Sequence, residues 1–358
     1  GLHSYGEFAN QLIDKARTQV AALINCAADG VIWTSGATEA DNLALLGLAR
    51  FRGDLQGRHI VTAITEHSAV LNACRQLKHE GFEISFLHPD REGRIAPDAV
   101  QRALRDDTIL VSLMHVNNET GVIQDIAAVG QICRDCDILL HVDAAQSAGR
   151  LPLDVVAQNI DMLSLSAHKM YGPKGVGALY LNTHRVNRLQ PLMFGGGQER
   201  GMRPGTLPTH QIVGMGLAAE LARAALATEP ATIAGLREQL WTAISDVPGL
   251  IRNSAGTATA CGILSVSVAG VEGESLLYAL RSLAVASGSA CNTASDDASY
   301  VLRALGRSDQ LAESTIRFSL GRFTTAAEVA AAAAVFRTEV RRLRAYTQRF
   351  QDLNKNAI

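Results

Sequence analysis

Leu165-Ser166-Ala167-His168-Lys169-Met170-Tyr171-Gly172-Pro173-Lys174-Gly175 closes an apolar run over residues 160–165 and leads into a Gly/Pro turn. The run predicts a β-strand, and the turn predicts a sharp stop directly after a lysine. A second apolar run, residues 138–142, ends in His141-Val142-Asp143-Ala144-Ala145-Gln146. Outward from these two, strand-like runs recur at 31–33, 59–62, 83–87, 108–113, 162–164 and 177–181, with helical periodicity between them. Strands alternating with helices predict βαβ units and a mostly parallel sheet covered on both faces. Ligands on such sheets sit at the carboxyl ends of strands. Thr38, His67, Asn118, Asp143, Gln146 and Lys169 all follow strand ends in this pattern.

A lysine at a strand end, beside Ser, His and a turn rich in N–H groups, suits a Schiff base with pyridoxal 5'-phosphate (PLP). That cofactor also needs a buried carboxylate to keep its ring nitrogen protonated, so that the ring can act as an electron sink. Asp143 is placed to be that carboxylate. Thr34-Ser35-Gly36-Ala37-Thr38-Glu39-Ala40-Asp41-Asn42 puts small and hydroxyl residues at a helix start, where orphan N–H groups and the helix dipole favour a phosphate. The same residues also fit an ordinary Ser/Thr N-cap. No GxGxxG follows a strand and no P-loop is present, so dinucleotide and nucleotide-triphosphate readings lack their signature.

The 358 residues exceed one ordinary core and predict two domains, 1–228 and 229–358. A helix over 7–25 opens the chain, and a helix over 210–227 leads to Thr228-Glu229-Pro230-Ala231, the expected boundary. Beyond it the pattern reads as a smaller α+β domain, with helices at 232–246 and 272–282 and strand-like stretches at 262–268 and 314–321. An Ala-rich helix over 325–345 follows, and residues 352–358 read as a polar tail. Hydrophobic residues make up 47% and charged residues 19%, and no apolar run reaches the ~18 residues of a membrane span. A net charge of −2 gives no electrostatic reason for direct nucleic-acid binding. Six scattered cysteines and no secretory leader point to a reducing cytoplasm.

Thr65-Glu66-His67 and Asn117-Asn118-Glu119 also close strand-like runs. His67 is of the type that stacks on a cofactor ring and moves protons near neutrality, although a lone loop histidine is usually structural, and only Lys169 and Asp143 beside it favour the functional reading. Asn118 is a candidate donor to the cofactor or to a substrate carboxylate. Cys291, in Ala286-Ser287-Gly288-Ser289-Ala290-Cys291-Asn292-Thr293-Ala294-Ser295, stands among small polar residues, as an accessible thiol does; buried structural cysteines sit in apolar runs. Cys133 and Cys136 form a CxxC pair with no second pair for zinc, which favours a structural role and no metal. Arg317 has the planar fork for bidentate capture of a carboxylate, or for a surface ion pair.

These motifs together resemble the NifS/IscS-like cysteine desulfurases of the class-V aminotransferase family, fold-type I PLP enzymes. TSGATEADN, TEHSAVL, SLMHVNNETGVIQ, HVDAAQS, SAHKMYGPKGVGALY, GGGQERGMRPGTLP, SGSACNTAS, SYVLRALG and IRFSLGRFT appear in order along nearly the whole chain. The resemblance implies that Lys169 carries the Schiff base, Asp143 pairs with the ring nitrogen and His67 stacks over the ring. It implies Gln146 and Asn118 near the phenolic oxygen. Ala37, Thr38, Ser166 and His168 hold the phosphate, and Thr206 reaches in from the partner of a homodimer. Arg317 is implied to grip the carboxylate of L-cysteine and Cys291 to accept its sulfur, leaving alanine and a persulfide. The persulfide then passes to an acceptor protein: an iron–sulfur scaffold, a tRNA-thiolation enzyme or a DNA-modification partner, since MFGGGQERGMRPGTLP also resembles the DNA-phosphorothioation (DndA-like) branch. The family pattern further implies an N-terminal segment before Gly1 with a strand and an Ala-Thr-Thr stretch. The C-terminal tail that docks scaffold proteins in iron–sulfur relatives is not recognisable. Two other readings stay open: a selenocysteine lyase or small aminotransferase, which would not need Cys291, and a catalytically idle dimeric binding subunit.

Overall fold

The computed structural model describes residues 3–256, 258–287 and 298–356. By the density of their internal contacts the residues form two compact units. One comprises residues 1–88, 95–117 and 124–227; the other comprises 89–94, 118–123 and 228–358.

The first unit holds seven strands: β1 (Val31–Thr34), β2 (His59–Ala63), β3 (Glu83–Leu87), β4 (Thr108–Met114), β5 (Leu139–Asp143), β6 (Met162–Ser166) and β7 (Gly177–Leu181). Its helices are α1 (Ser4–Leu23), α2 (Ala37–Gln56), α3 (Ser68–His79), α4 (Pro97–Ala103), α5 (Ile126–Asp135) and α6 (Thr209–Ala225). The strands form one sheet in the order β1-β7-β6-β5-β4-β2-β3. β3, β2, β4, β5 and β6 run parallel, and β7 is antiparallel to both neighbours. The mostly parallel α/β sheet read from the sequence is therefore present, with one antiparallel insertion. The sharp turn after Lys169 explains the insertion, because so short a link cannot make the long crossover that a parallel strand needs.

Alternate strand residues go to opposite faces. Trp33, Val61, Val111, Leu140 and Leu163 pack with α1, α5 and α6 in one core. Ile32, Ile60, Leu110, Leu139, Met162 and Leu179 pack with α2 and α3 in another. The helices begin at local caps: His67 Nδ1 accepts the Ala69 N–H at the start of α3, and Asp125 Oδ1 accepts the Ala128 N–H at the start of α5.

The second unit contains α7 (Glu229–Ile244), β8 (Leu250–Arg252), β9 (Ile263–Val268), α8 (Gly273–Ala279), β10 (Ala286–Ser287), α9 (Tyr300–Ala304), α10 (Asp309–Glu313), β11 (Thr315–Ser319) and α11 (Ala326–Asn356). Its strands pair antiparallel in the order β10-β11-β9-β8. Apolar residues of β9 and β11 bury themselves against α7, α8 and α11, with Phe318 and Phe336 meeting edge to face at 5.7 Å. The polar tail expected from residue 352 is instead helical as far as Asn356, because no Gly or Pro interrupts α11. β8 and β10, three and two residues long, carry too little periodicity to have been read from the sequence.

Candidate active site

On the α2/α3 face of the large sheet, each central strand changes from hydrocarbon to polar toward its carboxyl end. Ile60 gives way to Thr62, Leu110 to Ser112, Leu139 to His141 and Asp143, and Met162 to Ser164 and Ser166. These groups bond sideways across the strands. Thr62 Oγ1 donates to Ser112 O at 2.8 Å. His141 is hydrogen-bonded at both ring nitrogens, to Ser112 Oγ and Ser164 Oγ, each at 2.9 Å. Burial pushes the His141 imidazole down to about 3, so at neutral pH it donates at one nitrogen and accepts at the other.

Lys169 ends the single 3-10 turn Ala167–Lys169 that follows β6. The turn is pinned from both sides. Arg150 Nη2 donates to Lys169 O at 3.2 Å, and the N–H of Gly172 donates to Ala167 O at 2.9 Å. A Cβ on Gly172 would come within 2.9 Å of that same oxygen, and Tyr171 before it takes a left-handed φ of 65°. The Gly/Pro stretch thus fixes where the lysine leaves the sheet. Ser166 Oγ lies 2.9 Å from His168 Nδ1, and burial, then Lys169 and Lys174, lower the His168 imidazole.

Asp143 is buried at the end of β5. Its Oδ1 accepts the Ala145 N–H at 2.9 Å, while Oδ2 makes no hydrogen bond among the described residues. Burial raises its carboxyl, against the pull of that N–H and of the nearby His67 and Lys169. Lysine, aspartate and histidine, separate in sequence, therefore share one electrostatic neighbourhood. Gln146 is half-buried on the turn after β5.

α2 begins at Gly36 with no side-chain cap. A Cβ on Gly36 would meet nothing within 4 Å, so space lies open in front of the helix start. Behind it the packing is close: a Cβ on Gly177 would collide with Leu165 O and come within 2.6 Å of Gly36 Cα. Gly177 pairs with both Thr34 and Ser166, so it brings the α2 start beside the end of β6. Ala37 is half-buried and Thr38 exposed on the first turn. Thr206 is exposed as well, on a segment where Glu199 and Arg200 are both left-handed. Glu199 is held there by Arg17 at 2.8 and 2.9 Å and by the Trp33 N–H at 2.8 Å.

Sequence reasoning missed the acids behind this site. Asp41, on the second turn of α2, is 1% exposed, and neither of its oxygens accepts a regular hydrogen bond; Oδ1 lies 3.6 Å from His141 Nε2. Burial, Asp143 and Glu66 hold its carboxyl well above the usual range, with Ser164 working against them. Glu66 Oε1 accepts the Met114 N–H at 3.0 Å, and burial is again the main cause of its raised carboxyl. Both lie inside motifs quoted above, but a single sequence does not distinguish an exposed acid from a buried one.

In the second unit, Arg317 on β11 donates from Nη1 to Asn118 O at 2.6 Å, and its Nε donates to no described residue. Part of its fork is thus available to another acceptor. Asn118 is nearly buried. Cys291 lies outside the described residues. The Cys26, Cys74 and Cys133 thiols are pushed by burial to about 12, which removes them as nucleophiles near neutrality, and Cys136 is exposed at the end of α5.

An open helix start, an unused carboxylate oxygen on Asp143 and a strand-end lysine between them match the phosphate, ring nitrogen and aldehyde of PLP. The family described as Aminotransferase class-V matches residues 1–331. Cysteine desulfurase IscS from Shewanella sediminis is 55% identical over 327 residues, covering 91% of this chain and 81% of that relative. The crystal structure of DndA from Streptomyces lividans superposes with a TM-score of 0.78 at 40% identity, covering 90% of this chain and 91% of that one. SspA in complex with cysteine superposes with a TM-score of 0.79 at 37% identity, covering 91% of each chain.

Proposed function

The chain belongs to the class-V aminotransferase family, and from that premise we propose that it is a PLP-dependent cysteine desulfurase, converting L-cysteine to L-alanine while a protein thiol takes the sulfur. Likeness to IscS over nine-tenths of the chain carries this reading, and the grouping of Lys169 with Asp143 and His67 supports it. When bound, the cofactor supplies an electron sink for the bonds around the substrate's α-carbon.

The chain's own residues do the rest. Lys169 would hold the cofactor, and its amine would take the substrate's α-proton. Asp143 keeps the ring nitrogen protonated through its unused oxygen. His67 stacks on the ring, and its imidazole moves protons at the sulfur and the leaving carbon skeleton. Gln146 and Asn118 bond near the phenolic oxygen. Ala37, Thr38, Ser166 and His168 bind the phosphate at the start of α2, with Thr206 supplied by the second subunit of a homodimer. Arg317 binds the substrate carboxylate. Cys291 attacks the substrate sulfur: an S–S bond forms, the C–S bond breaks, and its electron pair stays with the carbon that becomes the methyl group of alanine.

The persulfide on Cys291 then goes to an acceptor protein, serving iron–sulfur assembly, tRNA thiolation or DNA modification. Among the described residues no helix is long and apolar enough to cross a membrane, which fits the cytoplasmic setting proposed for such a transfer. Purified protein given L-cysteine and a thiol reductant is expected to release alanine and sulfide in equal amounts. Cys291→Ser is expected to keep the visible absorbance of bound cofactor and lose sulfide release; full activity in that variant rules the assignment out.

A further inference from the structure

Glu39 stands at an awkward place for a carboxylate. It is the third residue of α2, and its Oε2 reaches back to accept the Ser35 N–H at 2.7 Å. The side chain therefore folds back over the helix start, so an anion already sits at the end of α2 to which the cofactor phosphate is assigned. A carboxylate there gains from the helix dipole, but it competes with a second anion for the same field. Burial pushes the Glu39 carboxyl up, yet the bonds from Arg203 and Ser35 outweigh it, so Glu39 is charged near neutrality.

Its countercharge comes from far along the chain. Arg203 donates from Nε to Glu39 Oε1 at 2.8 Å and from Nη2 to Oε2 at 3.3 Å. Both side chains are largely withdrawn from solvent, at 17% and 15% exposed, so water screens the pair poorly. Arg203 is also held in place: Met202 before it is buried in the α2/α3-side core, and the Gly205 N–H after it donates to Gln198 Oε1 at 3.1 Å.

We propose that Arg203 is a positioning residue for the cofactor phosphate, acting through Glu39: it cancels that carboxylate at the mouth of α2 so that a dianion can bind there. The inference rests on the phosphate site described above and adds a requirement to it. Without Arg203, Glu39 repels the phosphate; without both charges, the site recovers. A purely structural brace between α2 and the Thr206 segment would show no such recovery.

The test uses the full-length protein freed of cofactor and titrated with PLP and with pyridoxal, which lacks the phosphate, following absorbance and intrinsic fluorescence. Arg203→Gln is expected to weaken PLP binding about tenfold or more while leaving pyridoxal within about twofold of wild type. Adding Glu39→Gln to that variant is expected to restore PLP to within about threefold of wild type. Equal loss of both ligands in Arg203→Gln, an unchanged PLP preference, or a double variant as weak as the single one would each overturn the inference. Wild-type protein that binds both ligands alike would instead overturn the phosphate site on which it rests.

Discussion

The two faces of the large sheet are built from the same strands, yet only one of them can do chemistry. Toward α1, α5 and α6 the inward residues stay apolar to the strand ends: Val111 and Leu113, Leu140 and Val142, Leu163 and Leu165. Toward α2 and α3 the alternate positions of those strands become Ser112, His141, Asp143, Ser164 and Ser166. Strand periodicity keeps the two sets apart, so one run of five residues can carry a core and a site together. The apolar face supplies stability through burial. The polar face gives some of it up, because Asp41, Glu66 and His141 are desolvated for the sake of the field around Asp143.

Substitutions on β6 and on the turn that follows it can break this division. Lys169→Ala removes the amine proposed to hold the cofactor. It is expected to cut turnover at least ~1,000-fold, about 4 kcal/mol of barrier, with a melting curve close to that of the wild-type protein freed of cofactor. Leu163→Ala, on β6 but on the other face and fully buried, is expected to do the reverse. It should cost about 2–5 kcal/mol in urea unfolding while the folded fraction keeps its turnover number. If Leu163→Ala lowers turnover as much as it lowers stability, the faces are not independent and the comparison fails.

The fold was legible because it rests on local signals. Apolar runs bounded by helical stretches gave the strand positions, and strand ends marked Lys169, Asp143 and His67. The shared neighbourhood of those three came from the family resemblance and not from local signals, since strand order brings β5 and β6 together while β2 lies two strands away across β4. Asp41 and Glu66 escaped for a different reason. Each sits in a motif whose neighbours attract attention, and an acid in a helix or after a strand is usually solvated; Asp41 is buried where α2 packs on the sheet, and Glu66 lies against the end of β4, where it accepts the Met114 N–H. Glu39 and Arg203 were hidden by distance along the chain, with only the bonds between them showing that the two motifs meet.

Asp41 offers the mildest and most specific test of the polar face. Its folded carboxyl titrates well above its ordinary value, mainly through burial. In the unfolded chain it ionises once the pH passes about 4, whereas in the folded chain it keeps its proton. Between those two pKa values the folded state binds more protons than the unfolded state, so stability falls as pH rises, by up to about 1.4 kcal/mol per pH unit for one such group. Below the unfolded pKa the penalty is absent. Asp41→Asn cannot ionise and drops this dependence, while its amide can still bond to His141 or Ser164. Relative to wild type, the cofactor-free variant is expected to be equal or slightly weaker at pH 4 and progressively more stable as pH rises above it, read as urea midpoints at matched ionic strength. A difference that stays flat across that range would mean that Asp41 is ionised in the folded protein, and the polar face would then carry one more negative charge than burial allows.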